Sequence, residues 1–349
     1  MSRSILLLAC VLIAGNAGAQ ALQTDTALNS DTATSTAGAP TTPAPVPTTP
    51  PQATFRSNVD IVALNVVVTD SDQKYVSGLR SSDFAVFEDG IQQDVSFFGA
   101  ANVPLDLAIL LDTSASMTGK MPLVQQAAIG FLDTLRAGDR AIIVDIKDAT
   151  KIMYPLGSDL DAAKQAILLT APRGGTALYN GTYLTLKEMV KERRGNSEVR
   201  RQAIVVLSDG DDTASLVSYD DLMDLAKQSG IAIYTITMRS KYLVSQAASR
   251  GHSYFSQSEF GMKALAQETG ARSFFPTQLS ELSGVYASIA DELATQYAIG
   301  YSPKNPRMDG TYRRVIVRIA DKPGIRTRTR AGYTAPRAQR IASAASATH

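Results

Sequence analysis

Apolar residues fall into three regimes along this chain. Between Phe55 and Phe97 they form short runs broken by turns: Val59, Ile61 and Val66-Val67-Val68, then Phe84, Val86 and Phe87, then Ile91, Val95 and Phe97. Asp70-Ser71-Asp72-Gln73 reads as a turn. Glu88-Asp89-Gly90 carries the Asp-Gly pair that favours a tight hairpin. From Leu105 the runs change character. Leu107 to Leu111 and Ala203 to Leu207 are wholly apolar, as strands buried on both faces require. Ala141 to Val144 and Ile231 to Ile236 are further strands, and Ser273-Phe274-Phe275 is a short edge candidate. Helical spacing predicts helices at Val124 to Leu135, Leu160 to Leu169, Leu178 to Val190 and Tyr219 to Gln228, the last ending at Gly230. It predicts two more, at Leu265 to Thr269 and Leu282 to Leu293. After Tyr297 the pattern returns to strands: Tyr297 to Tyr301, Tyr312 to Ile319 after Asp309-Gly310, and Ile325 to Ala331 after Pro323-Gly324.

Strands separated by helices of this length predict an α/β fold: a doubly wound, mostly parallel sheet with helices on both faces. Each β flank is too small to be stable alone and has open edges. The flanks are therefore expected to pair into one β-sandwich-like unit. The expected organisation is an N-terminal β unit at 55–100, an α/β domain at 103–294, and a C-terminal β segment at 295–335 packing with the first unit. An Ala/Ser-rich frayed tail at 336–349 follows.

The first 54 residues belong to neither part. Met1 to Ala19 has an early Arg3, an apolar run from Ile5 to Ala14, and the small residues Ala17-Gly18-Ala19, the form of a cleaved secretory signal. The rival is a lipoprotein in which Cys10 carries the lipid, although Leu7-Leu8-Ala9-Cys10 fits a lipobox only in part. Residues 20–54 hold six of the 15 prolines, ten threonines and no Lys or Arg. Such a stretch cannot bury enough surface to fold, so it reads as a disordered spacer. Its Thr/Pro tract offers O-glycosylation as an alternative. No later run approaches the roughly 18 apolar residues of a membrane span. The protein is expected to be exported, to the periplasm or outside the cell, with a possible place in the cell envelope.

Composition narrows the chemistry. Across 349 residues, 34 Lys and Arg balance 33 Asp and Glu to a net charge of +1, which gives no global attraction to nucleic acid. One Cys and two His exclude Cys/His zinc sites and a disulfide scaffold. There is no Gly-x-Ser-x-Gly elbow, phosphate-binding Gly-x-x-x-x-Gly-Lys loop or Gly-x-Gly-x-x-Gly fingerprint. His252, in a polar Gly-His-Ser context, reads as a surface residue.

What remains is oxygen. In open α/β sheets, ligands sit beyond the carboxyl ends of the strands. The first apolar strand runs into Asp112-Thr113-Ser114-Ala115-Ser116, the second into Ser208-Asp209-Gly210-Asp211-Asp212, and Gly174-Gly175-Thr176 precedes a helix between them. Asp112, Ser114 and Ser116 alternate around a tight loop, so three oxygens can converge. The paired glycines let backbone approach closely and aim Thr176 inward. Carboxylates and hydroxyls without sulfur or imidazole suit hard cations: Mg²⁺, Mn²⁺ or Ca²⁺. Any one of these residues alone would be an ordinary helix cap. Asp211 and Asp212 read as solvated loop charges.

Asp-x-Ser-x-Ser, a Thr from Gly-Gly-Thr and the Asp of Ser-Asp-Gly resemble the metal-ion-dependent adhesion site of von Willebrand factor type A domains, at Asp112, Ser114, Ser116, Thr176 and Asp209. The flanking Val67-Val68-Thr69-Asp70, Asp83 to Gly90, Gly300-Tyr301-Ser302-Pro303 and Arg330-Ala331-Gly332-Tyr333 resemble exported A-domain-related proteins of Acidobacteria. The resemblance implies a non-enzymatic role in protein binding, cell adhesion or envelope scaffolding. It further implies that those five residues hold a divalent cation, Mg²⁺ foremost, and that a Glu or Asp of a protein partner completes its coordination.

Two other readings stand beside it. Asp209-Gly210-Asp211-Asp212-Thr213 also fits the Asp-x-Asp-x-Thr motif of a metal-dependent phosphatase-like hydrolase with Asp209 as nucleophile. A purely structural envelope protein is the third. Finally, Arg326, Arg328 and Arg330 alternate along a predicted strand beside Arg313, Arg314 and Arg318, which reads as a solvated, edge-protecting face or a surface for an anionic polymer.

Overall fold

The computed structural model describes residues 61–337, apart from 101, 102, 196, 197, 210, 250–255, 321 and 323. The signal and spacer segments, His252 and residues 338–349 of the tail lie outside the described residues.

The chain opens with β1 (Val62–Thr69), β2 (Phe84–Glu88), β3 (Ile91–Gln93) and β4 (Val95–Gly99). It continues through β5 (Leu105–Asp112), α1 (Met121–Leu132), β6 (Arg140–Ile146), β7 (Lys151–Gly157), α2 (Leu160–Leu168) and α3 (Leu178–Gly195). Next come β8 (Arg201–Ser208), α4 (Tyr219–Ser229), β9 (Ala232–Thr237), α5 (Lys241–Ser249), α6 (Gln257–Glu268), β10 (Ser273–Phe274) and α7 (Leu282–Thr295). The chain closes with β11 (Tyr297–Tyr301), β12 (Tyr312–Ile319), β13 (Arg326–Arg328) and β14 (Gly332–Thr334).

Six strands form the α/β sheet in the order β10-β9-β8-β5-β6-β7. All neighbours run parallel except the β6–β7 pair at one edge. Every residue of β5 and β8 is buried, and alternate side chains feed opposite faces. Leu107, Ile109 and Leu111 pack with Val124 and Phe131 of α1, Ile167 of α2 and Tyr286 and Ile289 of α7. Ala108 and Leu110 pack with Leu186 and Met189 of α3, Leu222 of α4 and Leu265 of α6. The doubly wound fold expected from sequence is the fold observed. β7 was not anticipated: Pro155 interrupts it and most of its residues are half-exposed, as befits an antiparallel edge.

The flanks interleave into two antiparallel four-stranded sheets, β13-β1-β11-β4 and β14-β12-β2-β3. Val62 of β1 lies opposite Tyr301 of β11, and Val315 of β12 opposite Glu88 of β2. Leu64, Val66, Val86, Ile299 and Val317 share one core between the sheets.

The arginines near the C-terminus depart from expectation. β13 ends at Arg328, and Arg313 and Arg330 are buried. Arg313 pairs with the buried Glu88, which also accepts from the Tyr301 and Tyr333 hydroxyls at 2.9 Å each. The Arg330 guanidinium lies 5.4 Å from the Tyr333 ring centroid. Arg328 donates to the Gly270 carbonyl and pairs with Glu292 of α7 at 2.5 Å. These side chains are internal ties, and Arg328 joins the sandwich to the α/β domain. Of the alternating set, Arg326, Arg314 and Arg318 face solvent.

Candidate functional site

β5 and β8 are hydrogen-bonded neighbours that run parallel, so their carboxyl ends deliver Asp112 and Ser208-Asp209 side by side. The chain leaves β5 through a loop whose tightness comes from Asp112 itself. Its Oδ1 accepts from the Ser114 backbone N–H at 2.9 Å, and its Oδ2 from the Ser208 hydroxyl at 2.6 Å. Ser114 then caps a 3-10 turn, Ala115–Met117, that leads into α1. The Ser114 and Ser116 hydroxyls share a hydrogen bond of 2.9 Å, and Ser116 donates to Asp209 Oδ1 at 2.7 Å. Four of the five residues singled out from sequence thus form one hydrogen-bonded chain.

Thr176 is placed beside them by backbone contacts. The Ala115 N–H donates to the Gly174 carbonyl at 3.0 Å, and the Arg173 N–H to the Thr113 carbonyl at 2.8 Å. On its other side, the Thr176 carbonyl accepts from the Thr213 and Ala214 N–H groups, and its N–H donates to the Thr213 hydroxyl at 3.0 Å. Gly174 has a φ of +71°, and a Cβ there would fall 1.9 Å from Asp148 Oδ2. The positive φ is what calls for glycine, since the Asp148 carboxylate ends a side chain that can turn aside. Asp148 Oδ1 in turn accepts from the Gly175 N–H at 2.5 Å.

The electrostatics follow from burial. Asp112 is fully buried and receives only neutral donors. Burial pushes its carboxyl above the usual carboxylate range; the bonds from Ser208 and Ser114 oppose the shift and the nearby Asp209 charge adds to it. Asp209, whose side chain is 3 % exposed, is instead paired with the ammonium of Lys120. Among the described residues no three His, Cys, Asp or Glu side chains converge, so the hydroxyls are needed to complete an oxygen set around a cation.

Several supporting residues were not singled out from sequence. Thr113, between Asp112 and Ser114, donates its buried hydroxyl to Asp145 of β6, which also pairs with Lys147 at 2.5 Å. Asp212 holds the start of α3, accepting from the Tyr179 N–H at 2.7 Å and from the Ser215 N–H and hydroxyl at 2.9 and 2.6 Å. It is a structural tie, not the solvated charge expected. Asp211 is exposed. Only Ser208 had a local signal, its place directly before Asp209.

The chain is similar to several known proteins. An uncharacterised protein of Borreliella burgdorferi is 23 % identical over 231 residues, covering 62 % of each chain. The chain thus spans less than two thirds of the length of that curated relative. Among solved structures, a von Willebrand factor type A protein from Catenulispora acidiphila is 12 % identical, with a TM-score of 0.45 over 81 % of this chain and 76 % of that one. Proximal thread matrix protein 1 from the mussel byssus, with a zinc-occupied MIDAS motif, is 15 % identical, with a TM-score of 0.44 over 59 % of this chain and 49 % of that one. An aerotolerance-related membrane protein from Bacteroides fragilis is 16 % identical, with a TM-score of 0.42 over 54 % of this chain and 98 % of that one. Residues 106–284 match the family model of the von Willebrand factor type A domain, about half of the chain and the whole path from β5 into α7. The chain belongs to the von Willebrand factor type A domain family.

Proposed function

We propose that this chain is an exported, divalent-metal-dependent protein-binding module used in adhesion or envelope scaffolding. In this reading Asp112, Ser114, Ser116, Thr176 and Asp209 hold the metal, within a domain spanning 103–294 between the two β flanks. The metal, Mg²⁺ foremost with Mn²⁺ and Ca²⁺ as alternatives, supplies positive charge and an open position for a Glu or Asp of a protein partner. The observation that carries the reading is the convergence of two carboxylates and the Ser114 and Ser116 hydroxyls at the carboxyl ends of β5 and β8. Asp112 and Asp209 balance a divalent charge in number, and the neutral hydroxyls add donors without adding charge. Five side-chain oxygens would fall short of the roughly six such an ion takes, which would leave room for an external carboxylate.

What the chain itself does is orient. Ser208 and the Ser114 amide fix the Asp112 carboxylate, and Gly174 and Asp148 fix the loop that carries Thr176. A hydrolytic role with Asp209 as nucleophile has less support, because it leaves the convergence of Asp112, Ser114 and Ser116 on Asp209 without a task. Export rests on the Met1 to Ala19 pattern. Among the described residues no helix is long and apolar enough to cross a membrane.

Calorimetric titration of the chelator-stripped protein with Mg²⁺, Mn²⁺ and Ca²⁺ tests the site. One saturable event is expected, lost in Ser114→Ala with the melting temperature little changed. Equal binding by the variant refutes the assignment. A partner captured equally well with and without chelator refutes the metal-dependent role.

A further inference from the structure

The residue at the site that the family motif does not include is Lys120. It is the N-cap of α1, its backbone N–H bonded to the Met117 carbonyl at 2.8 Å, so its Cα is fixed one short turn beyond Ser116. Its ammonium meets Asp209 Oδ2, the oxygen that Ser116 leaves open. Burial on the two sides of the pair is unequal: the Asp209 side chain is 3 % exposed and that of Lys120 is 33 % exposed. The carboxylate has nowhere to go. The lysine has a flexible four-carbon stem and water beside it, so it can leave.

We propose that Lys120 is a tethered cation that occupies Asp209 while the metal is absent and is displaced from it when the metal binds; this rests on the metal-binding reading above. The argument is one of charge. Asp112 and Asp209 place two carboxylates in a covered site, and Asp112 receives only neutral donors. Without a cation these two carboxylates, linked only through the Ser114 and Ser116 hydrogen bonds, would repel. Lys147, two residues beyond Asp145 in sequence, is committed to that carboxylate. Lys120 is therefore the charge that compensates the cluster in the metal-free protein. A divalent ion needs the same Asp209 carboxylate, and an ammonium held against it at contact distance opposes that ion. Lys120 thus stabilises the unloaded fold and weakens the metal.

A lysine that merely positioned Asp209 would have the opposite effect on metal affinity, which makes the test decisive. Wild type, Lys120→Met and Lys120→Arg are titrated with Mn²⁺ by calorimetry, and each is melted with and without chelator. Met keeps the stem and removes the charge. The expected result is about two- to fivefold tighter Mn²⁺ binding by Lys120→Met, the scale of a partly exposed ion pair. Its melting temperature in chelator should fall, and Lys120→Arg should stay near wild type. Lys120→Met affinity equal to or weaker than wild type overturns the inference and leaves the metal site standing. Absence of Mn²⁺ binding by wild type and Lys120→Met alike overturns both.

Discussion

Replacing Arg328 by Met should destabilise the protein more than replacing its partner Glu292 by Gln, although both changes remove one ion pair. The asymmetry comes from burial. The Glu292 side chain is 1 % exposed and that of Arg328 is 32 % exposed. Glu292 Oε1 accepts from the Tyr234 hydroxyl at 2.6 Å and faces Arg328 at 2.5 Å; its Oε2 accepts from Tyr75 at 3.3 Å, with Arg272 at 3.8 Å. Arg328→Met leaves an ionised carboxylate in the interior with two phenols and one distant, half-exposed guanidinium. Stranding a buried charge costs about 3–5 kcal/mol, and the remaining Arg272 argues for the lower end, about 3 kcal/mol. Glu292→Gln keeps an acceptor for Tyr234, while Arg328 turns toward water and retains the Gly270 carbonyl. The loss is then about 1 kcal/mol. Urea unfolding followed by circular dichroism, with unchanged slopes, measures both, and the double variant should cost less than the sum of the two. A Glu292→Gln loss equal to or above that of Arg328→Met would refute this account and place the energy in the tyrosine contacts. The point matters for function because α7, β9, β13 and the turn after β1 meet at this carboxylate.

Two further changes separate the ligand loops from their supports. Gly174→Ala forces a non-glycine residue to a φ of +71° with its Cβ against Asp148, at a cost of about 1–3 kcal/mol in strain and at least about tenfold in metal affinity by displacement of Thr176. Melting and calorimetry check both, and wild-type affinity would refute the stated role of the loop. Asp212→Ala removes three bonds that pin α3 and should cost about 1–3 kcal/mol in stability while metal affinity stays within about twofold of wild type. Loss of metal binding at unchanged stability would instead make Asp212 part of the site.

Strands buried on both faces announce themselves, and so β5 and β8 were legible as uninterrupted apolar runs. The ligand candidates were legible for a different reason: each lies at the end of such a run or in a Gly-Gly turn, where order along the chain already reports position in space. β7 was not, because a half-exposed edge strand with an internal proline carries little periodicity, and the nine-residue α5 was not anticipated either. The start of α6 did carry a signal that periodicity ignores. Ser256 and Glu259 cap each other's backbone reciprocally, and the Ser-x-x-Glu spacing is readable. Burial of Arg313 and Arg330 was illegible in principle. A charged residue at an alternating position reads as solvent-facing unless its partner is known, and Glu88 lies 225 residues before Arg313. The Lys120 pairing is hidden in the same way, since Asp209 lies 89 residues further on.

The two acidic residues of β5 show what kind of information decides function here. Asp106 and Asp112 are the same residue, on the same strand, both 1 % exposed or less. At the amino end, Asp106 meets Arg140 of β6 at 2.8 Å and Arg200 at 2.7 Å. Two guanidiniums more than neutralise it, which fits a position whose task is to fasten strands. At the carboxyl end the neighbouring chain brings a serine hydroxyl and a second carboxylate. That arrangement gathers negative charge where a structural role would call for its removal. A protein that needed Asp112 only for stability had a better solution available on the same strand, six residues earlier. The unfavourable charge at the carboxyl end makes sense if a cation belongs there, with Lys120 holding its place until it arrives.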